Sequence, residues 1–170
     1  MQTSLIRMLL AASLAVLAAC YESDVPLGPA TEALIDADLV GAWVDKKSAV
    51  LMVMQFSEHE LFARYEEFGD GTSERYRAYV TKVGSALFLN VQAVGLADDP
   101  DRSFIFFRYV VENDSLQLHL VRDNFVEAAI SDPQELDTST KLARFIRRNL
   151  NDEAMYEDPL VFYRVGVGNR

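Results

Sequence analysis

The sequence predicts a mainly β domain in which an antiparallel meander closes into a small, lipocalin-like β-barrel. Three observations support this fold class. Short runs of β-branched and aromatic residues recur between turn signals through most of the chain, which is typical of strands joined by tight links. One later segment has helical periodicity instead. A last apolar run follows it and can pair with the first strand, which removes the free sheet edges.

The strands of the meander are predicted from their composition and their flanking turns. The domain proper begins with a short helical turn over 34–39 and a first strand at Leu39–Val44. Gly69-Asp70-Gly71 and Gly84-Ser85 are turn signals because Gly and Asp adopt positive φ angles easily. Short links between strands favour antiparallel pairing. The strands after the first are Ala49–Phe56, Leu61–Phe68, Thr72–Val83, Ala86–Val94, Ser103–Val111 and Leu116–Arg122.

The pattern changes after these strands. Ser103–Val111 is apolar on both faces, so we expect both of its faces to be covered. Thr138 or Ser139 can cap a helix that carries apolar residues at helical spacing up to Leu150, and this helix would plug or flank the barrel. Phe125–Leu136 is compatible with strand, loop or a helical turn. Pro159–Val165 is the last strand.

The N-terminal residues have the features of an export signal. Arg7 is the only charge before Cys20, and Met8–Ala19 is an apolar run of twelve residues. A helix of that length spans ~18 Å, whereas a bilayer core is ~30 Å thick. The run is therefore too short for a transmembrane helix and suits a secretory signal.

Leu17-Ala18-Ala19-Cys20 resembles the lipobox of bacterial lipoproteins; an ordinary signal peptide with a cysteine near its end is the alternative. The resemblance implies cleavage between Ala19 and Cys20, diacylglycerol on the Cys20 thiol, and an acyl chain such as palmitate on the new amino group. The chain then divides into a cleaved signal (1–19), a lipidated cysteine with a flexible tether (20–33) and a single domain (34–170). Tyr21, where this class often has Asp for inner-membrane retention, suggests the outer membrane and a domain facing the periplasm.

Composition excludes several classes of function. Removing residues 1–19 takes away one of the 16 basic residues and none of the 26 acidic ones, so the net charge moves from −10 to −11. Such a domain is repelled by nucleic acids. A single cysteine rules out an intramolecular disulfide and a cysteine-based zinc site. We expect no cofactor.

Gly41-Ala42-Trp43 resembles the Gly-x-Trp motif of lipocalins and their calycin relatives. In that family the Gly permits a tight turn and the Trp closes the bottom of the barrel, often beneath a late Arg. Arg164 is the residue of this chain that suits that role. The chain departs from the family in lacking a Thr-Asp-x-x-Tyr motif and a clear count of eight strands before the helix.

No catalytic motif is evident, and we expect a non-enzymatic protein. His59 and His119 are far apart in sequence, and no Gly-x-Ser-x-Gly elbow is present. Two acidic loops could offer oxygen ligands to Ca²⁺, yet such loops are common on acidic proteins and lack EF-hand spacing. Their residues are Asp98, Asp99 and Asp101 in one loop and Glu66, Glu67 and Asp70 in the other.

Two surfaces remain as candidates for binding. Lys141, Arg144, Arg147 and Arg148 form a basic helix face, which is either a solvated surface or a docking face for an acidic partner or lipid phosphates. A barrel cavity for a small apolar ligand would use Met52, Met54, Leu87, Leu89 and Leu118, although these can equally fill the core. The first surface predicts a binding or scaffold role towards envelope proteins, and the second predicts a lipocalin-like carrier.

Overall fold

The computed structural model describes residues 20–46, 49–69, 71–95 and 103–166. Nine strands and two α-helices occur in these residues. The strands are β1 (Glu22–Ser23), β2 (Gly41–Val44), β3 (Ala49–Gln55), β4 (Leu61–Glu67), β5 (Ser73–Val83), β6 (Ala86–Ala93), β7 (Phe104–Glu112), β8 (Ser115–Leu120) and β9 (Leu160–Arg164). The helices are α1 (Asp123–Ala129) and α2 (Ser139–Arg148), and single 3₁₀ turns lie at Ala30–Glu32, Ala37–Leu39, Pro133–Leu136 and Glu153–Met155.

The strands β2 to β9 form a closed antiparallel barrel, which confirms the predicted fold class. Each strand pairs with the next from β2 to β8, and β9 closes the ring by pairing with both β8 and β2. In the closing register Trp43 lies opposite Arg164, and Leu116 lies opposite Phe162. Seven of the eight barrel strands therefore precede the helices and one follows them.

The inside of the barrel is filled with side chains. Residues alternate along each strand, so one face of every strand points inward. The inward side chains, together with Leu39 beneath them, form one contiguous buried cluster, which we call the inner core. Its buried members are Leu39, Trp43, Leu51, Val53, Leu61, Ala78, Leu89, Val91, Tyr109, Leu116, Leu118 and Phe162.

A second cluster, the outer core, lies on the outside of β6 and β7 beneath the helices. Phe88 and Phe106 are fully buried there against Leu142 and Ile146 of α2. The helix therefore flanks the barrel. Phe106 faces the outer core while Phe107 and Tyr109 face the inner core, so β7 is covered on both faces, as its composition predicts.

The helical segments begin at capping residues. Thr138 caps α2, with its hydroxyl oxygen accepting from the backbone N–H of Lys141 at 3.4 Å. The ambiguous stretch before α2 forms most of α1 and then a 3₁₀ turn, in which Asp132 and Glu135 make a reciprocal capping box. No helix among the described residues is long and apolar enough to cross a membrane.

The structure corrects the expectation of a flexible tether. The segment Cys20–Ala33, hereafter the N-terminal segment, packs along the barrel instead of standing free. Its strand β1 pairs antiparallel with the start of β7, and Cys20 forms a bridge with Arg122. Leu27 is 3% exposed within the outer core. Pro26 and Pro29 favour an extended backbone in this segment. An extended chain can pack against a sheet as readily as it can cross solvent, so the prolines alone did not distinguish the two arrangements.

Buried Asn90 holds this segment to the barrel wall. The backbone N–H of Leu27 donates to Asn90 Oδ1 at 2.7 Å, and Asn90 Nδ2 donates to Thr81 Oγ1 at 2.9 Å. The Tyr79 hydroxyl donates to the Gly28 carbonyl at 2.9 Å. A buried amide that satisfies its own hydrogen bonds in this way fixes one position of the segment.

Candidate functional site

An open cleft of about 350 Å³ lies where three parts of the chain meet outside the barrel. One wall is the N-terminal segment at Leu27–Pro29, another is the β5–β6 turn, and the third is the face of α2 that runs from Ser139 in its first turn to Arg147 in its last. We call it the basic cleft because three of its lining residues are cationic and none is acidic. The residues that line it are Leu27, Gly28, Pro29, Lys82, Val83, Gly84, Ser139, Thr140, Ala143, Arg144 and Arg147.

The β5–β6 turn can approach α2 closely because of Gly84. Its φ angle is 62°, in the left-handed region that favours glycine. A Cβ at this position would lie 3.5 Å from Cγ of Arg147 and 3.4 Å from Cδ2 of Leu150. The aliphatic stem of Arg147 therefore rests over the turn, and this contact holds the helix against one rim of the cleft.

The structure divides the predicted basic helix face. Lys141 Nζ contacts Asp137 Oδ1 at 2.7 Å and also donates to the Gln134 carbonyl, so that charge is already paired. Arg144 and Arg147 line the cleft, whereas Arg148 does not. Lys82 of β5 also borders the cleft, but it is paired with Leu87 on the inner-core face of the strand, opposite to Val83 and α2. Among the ion pairs between described residues, none includes Lys82, Arg144 or Arg147.

A second cavity of about 310 Å³ lies between the outer face of β7 and β8 and the 150–159 segment. Arg108 lies over the Tyr156 ring, 5.7 Å from its centroid, and the His119 ring meets Tyr156 edge-on at 6.1 Å. Burial, and then the charge of Arg108, lower the pKa of His119, which favours the neutral imidazole. No serine, threonine or cysteine is among the described residues lining this cavity, so His119 has no nucleophile beside it there.

The other histidine has a structural contact. His59 lies in the β3–β4 turn, and its Nδ1 is 2.8 Å from the carbonyl oxygen of Ala33. This hydrogen bond joins the turn to the end of the N-terminal segment.

Gly41, Trp43 and Arg164, which the lipocalin resemblance groups together, lie in contact with one another. Cζ of Arg164 lies 4.2 Å from the centroid of the Trp43 ring, and Arg164 donates to the carbonyls of Val40 and Asp38 at 3.0 and 2.6 Å. Gly41 has a φ angle of 148°, and a Cβ there would lie 2.8 Å from Nη1 of Arg164. Glycine therefore leaves room for the guanidinium over the indole.

The predicted ligand cavity is corrected in part. Met52 and Met54 are 41% and 46% exposed on the outer face of β3, because Leu51 and Val53 are the residues of that strand that point inward. Leu89 and Leu118 do point inward, with Leu87 packed beside them, but they belong to the filled inner core. Neither cavity described above is lined by an inner-core residue.

The predicted acidic loops supply no metal centre among the described residues. Asp70, Asp98, Asp99 and Asp101 lie outside them. Glu66 pairs with Arg64 at 3.2 Å, and Glu67 accepts a hydrogen bond from the Tyr65 hydroxyl at 2.8 Å. No group of three His, Cys, Asp or Glu side chains in the described part of the chain is arranged to hold a metal ion.

The predicted attachment point, Cys20, is buried two residues before β1. Burial raises the pKa of its thiol, and the nearby carboxylates of Glu22, Glu157 and Asp123 raise it further. Residues 1–19, and with them Ala19 and the predicted cleavage signal, lie outside the described residues.

Sequence reasoning missed two residues of this region, Lys82 and Asn90. Both belong to strands whose neighbours in sequence are unremarkable, and the partner of Asn90 in the N-terminal segment, Leu27, is 63 positions away. The polar Asn90 on a strand of otherwise apolar character is a usable signal, because a buried amide needs specific partners. Comparisons of the chain with protein-family models, curated proteins and solved structures found no match.

Proposed function

We propose that the chain is a lipid-anchored, non-catalytic binding protein of the bacterial envelope, held at the outer membrane through acylated Cys20 and facing the periplasm. The lipobox-like Leu17-Ala18-Ala19-Cys20 supports the anchor. Several acyl chains on one residue give stable attachment, because a single chain binds a membrane only marginally.

The observation that carries the binding role is the filled interior of the barrel. Twelve buried side chains, with Trp43 and Phe162 among the largest, form one packed cluster where a carrier would keep an empty cavity. An apolar ligand would have to displace some of them. This packing argues against the alternative of a lipocalin-like carrier and favours binding on the outside of the barrel, where both described clefts lie.

A fluorescent long-chain fatty acid tests the carrier alternative. Trp43 is the only tryptophan of the chain and lies inside the barrel, so a ligand bound there would quench its emission by energy transfer. We expect no saturable quenching. Saturable quenching at a stoichiometry of one would restore the carrier function and contradict the proposal.

The anchor is tested by Cys20→Ala. We expect the wild-type protein to sediment with membranes and to carry the mass of its acyl groups, and the variant to lose both properties. Thermal melting of the purified variant checks that replacing a buried residue has not unfolded the domain. Lipidation at Cys20 would be contradicted if the variant stayed with membranes and if wild type and variant showed no difference in acyl mass.

A further inference from the structure

We propose that the basic cleft binds a small organic phosphate with at least two negative charges, either free in solution or as the headgroup of a lipid. The inference rests on the binding role proposed above and names the ligand of that role. It depends on the charges of the cleft, the donors on its walls and the apolar part of its surface.

The charges of the cleft call for a multiply charged anion. Lys82, Arg144 and Arg147 line one cleft of a chain whose net charge is −10, and no acidic residue lines it with them. Arg144 and Arg147 both come from α2, and neither takes part in an ion pair between described residues. A single carboxylate neutralises one of these two arginines, whereas a phosphate monoester carries about 1.5 to 2 negative charges at neutral pH.

The donors on the walls suit phosphate oxygens. A guanidinium presents a planar fork of N–H groups that matches two oxygens of a phosphate. Ser139 and Thr140 add hydroxyl groups from the first turn of α2. Backbone N–H groups in the first turn of a helix have no partner within the helix, and they lie on the side where negative charge is favoured.

The remaining surface of the cleft is apolar and fits an organic group. Leu27, Val83 and Ala143 lie among the lining residues. The volume of about 350 Å³ lies within the range of small-molecule sites, about 300 to 1,000 Å³, and exceeds what one inorganic phosphate fills. A concave site of this size favours a small molecule over a flat protein surface.

The experiment uses residues 20–170, the predicted mature chain, with Cys20→Ala, so that neither the apolar signal nor acyl groups bring it to vesicles. One arm titrates glycerol 3-phosphate by calorimetry, and the other measures co-sedimentation with phosphatidylcholine vesicles containing phosphatidic acid. Binding in the first arm identifies a soluble phosphate, and binding in the second arm alone identifies a lipid headgroup. Either supports the proposal if the charge-reversed cleft loses it. Binding in neither arm overturns it.

The variants separate the cleft from general charge effects. Arg144→Glu with Arg147→Glu reverses both cleft arginines, and the matched control, Arg75→Glu with Arg148→Glu, makes the same charge change outside the cleft. We expect affinity to fall more than about tenfold in the first and less than about twofold in the second, since only the first removes charged hydrogen-bond donors that line the cleft. Equal losses overturn the proposal.

Citrate tests the ligand class, because it is a trianion without phosphate. Binding of citrate as tight as that of the phosphate probe would show recognition of charge alone and would also overturn the assignment. Membrane anchoring of the wild-type chain is measured separately, so loss of the phosphate site and loss of the lipid anchor give different results.

Discussion

The inner and outer cores lie on opposite faces of the same strands, and the two clefts described above both lie on the outer side. The inner core is enclosed by a ring that closes on itself. The outer core is covered by separate pieces of chain, namely the helices and the N-terminal segment. Both cavities lie where these pieces meet the barrel. When a small barrel is full, space for a ligand remains at the joints between the barrel and its covering segments.

Deleting one large side chain from either core is expected to have the largest effect. Trp43→Ala and Phe106→Ala should each lower the free energy of unfolding by about 3–5 kcal/mol, because each ring is fully buried. Chemical denaturation followed by circular dichroism measures this. Both variants should unfold in one transition because β7 contributes to both cores. A second transition in either variant would show that the cores unfold independently.

Neighbouring residues of β3 give a sharper contrast between inside and outside. Leu51→Ala should lower the free energy of unfolding by about 2–5 kcal/mol, because Leu51 is buried in the inner core. Met52→Ala should change it by less than about 1 kcal/mol, because Met52 lies on the outer face. The two variants are each other's control in the same denaturation assay. The opposite order would mean that β3 presents its other face to the interior.

Asn90→Ala tests how firmly the N-terminal segment is held. The change removes the acceptor of the Leu27 N–H in a buried site, which should cost about 1–3 kcal/mol. Limited proteolysis should then cut within 20–33 sooner than in the wild type. Gln117→Ala, which changes a half-buried polar residue on β8, is the control. Unchanged protection in the Asn90 variant would show that apolar contacts alone hold the segment.

The smallest expected effect is the dependence of stability on pH at His119. Since the pKa of His119 is lowered in the folded protein, the unfolded chain binds the proton more readily as pH falls below the ordinary value of 6.5. The contribution of His119 is therefore complete above that pH and declines as pH falls through the lowered pKa. His119→Gln should lose less stability than the wild type between pH 7.5 and pH 5 in urea denaturation. Equal losses would contradict the shift.

The fold follows from features that are local in sequence. The turn residues delimit the strands, and the helical spacing around Leu142 and Ile146 marks the one long amphipathic helix. Two apolar faces on Ser103–Val111 predict two coverings, and the structure has both. Each of these depends on residues a few positions apart, where the periodicities of strands and helices are decisive.

What the sequence could not provide depends on contacts between distant residues. In Ala49–Phe56 both faces are apolar, so alternation could not tell Leu51 from Met52. The prolines of the N-terminal segment indicate an extended chain but not whether that chain meets a partner. The basic cleft joins Leu27, Lys82 and Arg144, which no window along the chain contains together. The sequence showed the basic face of α2, but it did not show that Lys141 is paired with Asp137 while Arg144 and Arg147 line the cleft.

The burial of Cys20 has a consequence for the order of events during maturation, if Cys20 is acylated as we propose. A thiol attacks as its thiolate, and a raised pKa makes the thiolate scarce at neutral pH. In the folded domain the backbone of Cys20 also forms a β-bridge with Arg122, and the buried side chain is shielded from an enzyme. Burial of this thiol therefore favours lipid transfer before β1 docks against β7. In that order the N-terminal segment packs against the barrel only after membrane attachment, so a chain with β1 paired to β7 is one that has already been acylated.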